Sequence, residues 1–275
     1  MGKIVWIASY PKSGNTWMRM FLMHYFSRRD VLPPDAAQGF APNENNGRFY
    51  QPFLPISADK LPDTALASVR PLAQHAISKM SDSYVFAKTH HWFGTHHGIP
   101  TVSLDDSAAS VYLVRNPLDV VVSYAYFRNV SYDQAIDWVL AKDRILPRIT
   151  KGSYFAAGSW SQNVSSWRNQ RHLPCTILRY EDIVSNPKEQ FRGLLRSWGL
   201  NINPKRLTSA IDLTSLGALK AAEARYGFQE RPTSTKAFFR SGKTGEGYEK
   251  LTKLQRLRVI NACDQEMSEF GYSLN

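Results

Sequence analysis

Residues 3–17, KIVWIASYPKSGNTW, hold the passage on which the fold is decided. Lys3 to Ser9 is short, apolar and β-branched, and it runs into breakers, which is the pattern of a buried strand. Residues 10–15 form a loop around a proline and a glycine. From Thr16, TWMRMFLMHYF has helical character, with Asn15 or Thr16 placed to cap it. Strand, glycine loop and helix in that order gather backbone N–H groups at a helix N-terminus, and such a cradle binds phosphate. Lys12 adds a mobile positive charge. The kinase form G-x-x-x-x-G-K-[ST] does not occur in this loop.

Further runs repeat the strand pattern. SYVFAKTH (83–90), SVYLVR (110–115) and CTILRY (175–180) read as strands. Helical patterns follow at about 117–127, 132–144, 158–170, 187–198, 204–212, 214–225 and 249–269. Strands alternating with helices predict an α/β fold, a single domain over 1–275 with a central parallel sheet flanked by helices on both faces. Ligands in such folds bind at the carboxyl ends of the strands. Residues 29–65 are rich in Pro, Asn, Asp and Gly and read as a long irregular segment, the kind used as a lid. No internal repeat or low-complexity tract interrupts the chain.

The 275 residues carry a formal charge of +11, with 43% hydrophobic and 21% charged residues. That composition belongs to a globular protein with a sizeable core. The positive balance fits either a generally basic surface or a cleft for a polyanion. No Lys/Arg run exceeds two residues, which argues against a basic nucleic-acid arm. No apolar stretch approaches a membrane span of about 20 residues, and the N-terminus lacks a signal-peptide core. The expected location is the cytoplasm. The two cysteines, Cys175 and Cys263, allow at most one disulfide, and Cys175 reads as a buried free thiol. No His/Cys/Asp cluster has metal-ligand spacing, so no metal is expected.

Three other places suggest chemistry. In VYLVRNPLDVVVSYAYF (111–127), Arg115 ends a strand and can grip a phosphate through two parallel N–H bonds, with Ser123 adding a donor two turns into the next helix. In FAKTHHWF (86–93), His90 at a strand end has the ordinary pKa of a general base. His91 is adjacent, and if the strand persists the two rings face opposite ways. In AFFRSGKTGEGYEKLT (237–252), a glycine-rich basic loop before a helix forms a second anion cradle.

Together these segments resemble the sulfotransferases that use 3′-phosphoadenosine 5′-phosphosulfate (PAPS). YPKSGNTW resembles that family's phosphosulfate-binding loop, a P-loop-like element. The Lys-Thr-His triplet resembles its catalytic segment, and FFRSG its later Arg-Gly signature. RYEDIVSNP, LTSLGALK and GSWSQNVSSW match further family segments in order, so the resemblance spans nearly the whole chain. It implies that His90 deprotonates an acceptor hydroxyl and that Lys88 contacts the transferring sulfuryl. It implies that Lys12 holds the departing phosphate while Ser13, Gly14, Asn15 and Thr16 cradle it. Trp17, Tyr180 and Thr214 would lie at adenine, Arg115, Ser123 and Arg240 at the 3′-phosphate, and Phe239, Ser241 and Gly242 elsewhere in the cofactor site.

The implied activity is sulfuryl transfer from PAPS to a hydroxyl of a small or mid-sized acceptor, giving a sulfate ester and 3′-phosphoadenosine 5′-phosphate (PAP), without metal. Ser241 stands where many members carry Lys, and Gly247 where many carry Trp. The acceptor-facing segments are expected at 29–80 and 128–157. The partner is then a small molecule, not nucleic acid or a membrane. The dimer motif of animal members is missing, so no oligomeric state follows. A small-molecule or nucleotide kinase of P-loop type, or a basic nucleic-acid-binding module, are the competing readings.

Overall fold

The computed structural model describes residues 2–27, 32–148 and 152–273. The fold is α/β, a central parallel sheet flanked by helices. Its four strands lie in the order Tyr84–Thr89, Lys3–Ser9, Ser107–Val114, Cys175–Arg179. The first two of these pair in parallel, with Lys3 beside Tyr84 and Ala8 beside Thr89. Ile4, Trp6, Ile7 and Ala8 are fully buried, as a strand covered by other elements requires.

The chain forms two compact units. The first comprises residues 2–10, 41–112 and 141–177, and the second 11–40, 113–140 and 178–273.

In the first unit, helix Asp63–Ser78 packs on strands Lys3–Ser9 and Tyr84–Thr89. This helix was not legible in the sequence. Its buried residues are Leu66, Ala67, Arg70, Ala73, Gln74, Ile77 and Ser78, a helical spacing in which three members are polar, and Pro71 sits inside it. An arginine and a glutamine on the inner face hide the period, and the proline reads as a break. Helix Trp160–Asn169 starts at a capping box between Ser159 and Gln162. Its Trp167 stacks on Tyr112 of the sheet at 5.7 Å, and the Tyr112 hydroxyl donates to Asn163 Oδ1 at 2.8 Å.

In the second unit, helix Asn15–Phe26 packs against Pro204–Leu213 and against the short helix Ala36–Phe40. Helix Pro117–Arg128 packs on Tyr132–Leu140 and on Glu246–Lys250. Met20, Met23, Ala37, Leu219, Phe228 and Phe239 form an apolar core, with Trp17 and Phe238 against it.

Several boundaries differ from the sequence reading. The stretch 29–65 holds short helical turns at Ala36–Phe40 and Gly47–Tyr50. The helix expected at 249–269 is two, Glu246–Lys250 and Lys253–Glu269, divided by Thr252, which caps the second in a box with Gln255. Both cysteines are free thiols, and Cys175 is half-buried where burial was expected. Of the segments read as acceptor-facing, 29–31 and 149–151 lie outside the described residues.

Candidate active site

The second unit holds the two glycine loops that the sequence marks as anion cradles. Helix Asn15–Phe26 is capped by neither Asn15 nor Thr16: its N-cap is Gly14, at φ 97°, which has no side chain to cap with. A Cβ at Gly14 would sit 2.7 Å from the Tyr180 ring, so the loop needs glycine for both its backbone and its neighbour. Lys12 also has a positive φ, 71°, a conformation that costs a non-glycine residue about 1–3 kcal/mol and clusters at functional sites. Its ammonium rests 3.7 Å from the Phe127 ring centre and 4.9 Å from that of Phe238. Thr16 donates its hydroxyl to Glu230, which also pairs with the fully buried Arg19 at 2.6 Å.

Among the described residues, Ser13 Oγ and Trp17 Nε1 are buried here without a hydrogen-bond partner. Buried hydroxyls are otherwise nearly always paired, so an orphan at a phosphate-type loop fits an incoming acceptor oxygen. The indole of Trp17 meets Tyr180 and Phe191 edge-on at 5.9 and 5.8 Å.

Arg115 joins two loops. Its guanidinium donates to the carbonyl of Lys12 at 3.1 Å and to that of Lys243 at 3.0 Å, and it lies 4.3 Å over the Tyr180 ring. Asp119 accepts from the backbone N–H of Gly245 and of Gly247, which pins the second loop to helix Pro117–Arg128. Gly247 abuts this helix: a Cβ there would meet Leu118 at 2.4 Å, so no larger side chain has room. Ser123 is half-buried on the same helix.

Arg240 forks onto Glu246, which also accepts from Ser241 Oγ at 2.8 Å and Lys250 at 2.7 Å. Burial would raise the Glu246 carboxyl, but these donors outweigh it and hold it down at about 2. Ser241 therefore serves Glu246, and Lys243 contributes a carbonyl to Arg115. Gly242 lies against Leu216, and Phe239 is core, its N–H held by Glu223. Thr214 gives its hydroxyl to the Ala210 carbonyl at the end of its helix. Tyr180 is buried, which raises its phenol, with Arg115 opposing.

The first unit holds the histidine segment. Strand Tyr84–Thr89 ends before His90, so strand alternation does not separate the two histidines; their partners do. His90 Nδ1 lies 2.7 Å from the Ser9 carbonyl oxygen, which can only accept, so the ring proton is on Nδ1 and the lone pair on Nε2. The His90 carbonyl accepts from Asn163 Nδ2 at 3.1 Å and the His91 carbonyl from Trp167 Nε1 at 2.8 Å. The Phe155 ring stands edge-on to His90 at 5.4 Å. Lys88 is tied through its backbone to Pro42 and Glu44.

Comparison with known proteins decides the family. Residues 3–271 match the sulfotransferase domain.

The chain belongs to the sulfotransferase family.

The rat protein "Sulfotransferase 1A1" is 27% identical over 92% of this chain and 80% of its own length. "Flavonol 3-sulfotransferase" of Flaveria bidentis is 21% identical over 98% of this chain and 83% of its own. The crystal structure of a mouse sulfotransferase, SULT7A1, complexed with PAP superposes with a TM-score of 0.65 at 17% identity, covering 98% of this chain and 86% of that one. Retinol dehydratase in complex with androsterone and PAP gives 0.65 at 16%, covering 97% and 81%.

As a sulfotransferase the protein moves a sulfuryl group, and the kinase and nucleic-acid readings are not favoured. Among the described residues no His, Cys, Asp and Glu cluster could hold a metal ion, and no helix is long and apolar enough to cross a membrane. Of the residues singled out in the sequence, Lys12 to Trp17, Arg115, Tyr180 and the loop after Phe239 gather in the second unit. Lys88 and His90 stand in the first. Five acidic groups that order these segments escaped the sequence reading: Glu44, Asp119, Glu223, Glu230 and Glu246. Asp119 had a signal, an acid in the first turn after Pro117; Glu44 had none.

Proposed function

We propose that this sulfotransferase transfers the sulfuryl group of PAPS to a hydroxyl of a small, largely apolar acceptor in the cytoplasm. The observation that carries the reading is the buried, unpartnered Ser13 hydroxyl in a loop whose helix is capped by glycine alone. A helix N-terminus free of a side-chain cap favours an anion through its N–H groups and its dipole. Solved relatives with this fold hold PAP, and one holds androsterone beside it. The name of another relative, "Cytosolic sulfotransferase 13" of Arabidopsis thaliana, supports the location.

In this reading Ser13, Gly14, Asn15 and Thr16 hold the 5′-phosphate oxygens. Lys12 leaves its aromatic rest position to neutralise the phosphate as it departs. Arg115, Ser123, Arg240, Ser241 and Gly242 receive the 3′-phosphate. Trp17, Tyr180, Thr214 and Phe239 frame adenine.

His90 Nε2 takes the hydroxyl proton of the acceptor. The acceptor oxygen forms its bond to sulfur as the bond from sulfur to the phosphate oxygen breaks, and PAP leaves with the electron pair. Lys88 stabilises the peripheral sulfuryl oxygens. Charge spread over such oxygens asks chiefly for positioning and electrostatic support, which these cations supply without a metal. The acceptor is approached through residues 29–80 and 128–157.

Calorimetric titration with PAP, with 5′-AMP and ATP as comparisons, tests the donor site. Affinity of about micromolar or better for PAP, well above the other two, is the expected result. Equal affinity for all three would remove the 3′-phosphate from the reading.

A further inference from the structure

Beneath the histidine segment lies a buried charged network that the mechanism above does not use. Glu44 is fully buried in a stretch of Pro, Asn and Gly. Its carboxylate accepts from Tyr50 Oη at 3.0 Å and Gln74 Nε2 at 3.1 Å, and it faces His91 Nε2 at 3.3 Å. Arg70, also fully buried, supplies the countercharge and donates to Tyr154 Oη at 2.8 Å, which in turn meets His96 Nδ1 at 2.8 Å.

The protonation states follow from these contacts. Burial would raise the Glu44 carboxyl, but His91, Arg70 and Gln74 outweigh it and hold it low, so Glu44 is ionised. Burial pushes His91 down more than Glu44 pulls it up, so His91 is neutral. A neutral imidazole carries one N–H. His91 Nδ1 accepts the backbone N–H of Ala156 at 2.9 Å, so the proton is on Nε2, towards Glu44. His90 and His91 are thus opposite tautomers, Nδ1–H and Nε2–H, and His91 Nε2 faces Glu44 Oε2 at 3.3 Å without a formed hydrogen bond.

The backbone of Glu44 acts on the same segment. Its N–H donates to the Lys88 carbonyl at 3.0 Å, and Lys88 N–H donates to the Pro42 carbonyl at 2.8 Å, so Asn43 pairs beside Lys88 as a one-residue parallel bridge. Glu44 therefore holds the chain two residues before His90 by its backbone and the ring one residue after it by its carboxylate. A buried ion pair is seldom the most stable filling for a core, since apolar residues of like volume often serve as well or better. What this one supplies is a fixed arrangement.

We propose that Glu44 is a positioning residue for sulfuryl transfer. It faces the Nε2–H of His91 at 3.3 Å and sets the Lys88–His90 backbone, so that the two adjacent histidines keep opposite tautomers and only His90 carries its lone pair on Nε2. The inference rests on the reading of His90 as the base.

Nitrogen-15 spectra of the histidine rings in the full chain test it directly. His91 is expected as the Nε2–H tautomer with no titration between about pH 5.5 and 8.5, and His90 as the Nδ1–H tautomer. Turnover with PAPS and para-nitrophenol supplies the second reading. His91→Gln can accept from Ala156 and donate to Glu44, and is expected within about threefold of the parent, whereas His90→Gln loses at least about 100-fold. Glu44→Gln is expected to lower kcat about tenfold or more with PAP affinity unchanged, and to mix the His90 tautomers. A titrating His91, or equal losses in His91→Gln and His90→Gln, would overturn the proposal. If Glu44→Gln does not fold, the parent spectrum and His91→Gln still decide. Full turnover in His90→Gln with PAP bound would instead overturn the base assignment.

Discussion

The glycine loops of the second unit and the histidine segment of the first are held in opposite ways. Pro11 to Asn15 and Arg240 to Gly247 are glycine loops whose shape comes from backbone torsions and from cations: Arg115 ties the two by their carbonyls, and Asp119 and Glu246 hold the far loop. His90 stands just past the end of a strand, with its ring Nδ1 at the Ser9 carbonyl and its own carbonyl accepting from Asn163. A polyanion needs many donors in a tolerant frame, whereas a general base needs one nitrogen in one tautomer. The difference teaches that binding and proton transfer should fail separately.

The largest effect that would break this comparison belongs to the base. His90→Ala is expected to lower kcat at least about 100-fold while PAP affinity changes less than about twofold, read by turnover and calorimetry. A matching loss of PAP affinity would mean that the two segments do not act separately.

Arg115→Ala comes next. Losing both carbonyl bridges and the proposed grip on the 3′-phosphate is expected to weaken PAP by about 10- to 100-fold, and adenosine 5′-phosphosulfate far less. Equal losses would move the 3′-phosphate elsewhere.

Gly14→Ala sharpens the contrast between backbone and side-chain design. With φ at 97° and Tyr180 in the way, it is expected to destabilise the protein by about 1–3 kcal/mol in denaturant unfolding, and to weaken PAP as well. An unchanged midpoint would mean that the loop shifts without strain.

The smallest effect concerns Glu246, whose carboxyl is held at about 2 against an ordinary 4.5. A carboxyl depressed on folding stabilises the folded state fully above its unfolded value, and that contribution is lost as pH falls through the folded one. Glu246→Gln is therefore expected to flatten the acid limb of stability from about pH 4.5 down to about 2, read by thermal unfolding across pH. An unaltered acid limb would show that the ordering of this loop does not depend on that charge.

Much of this is legible in the sequence. The strand at 3–9, the glycine loop, the helix after it and the strand before Arg115 carry local signatures: β-branched runs, breakers and helical spacing. Helix Asp63–Ser78 was not legible, because its inner face carries Arg70 and Gln74 and its middle carries Pro71. Those two polar side chains face inward to serve Glu44, so the network that hid the helix from the pattern is also what orders the histidine segment.

The sequence by itself determined the fold class, the loop order and the residue types able to bind an anion and take a proton, because each depends on neighbours within a few positions of one another. The tertiary structure alone decided which ring nitrogen of each adjacent histidine carries the proton, why position 247 takes glycine, and which carboxylates hold the cations. Those outcomes depend on groups far apart in the chain, Ser9 with His90, Glu44 with His91 and Gly247 with Leu118, and a contact made through space leaves no period along the sequence.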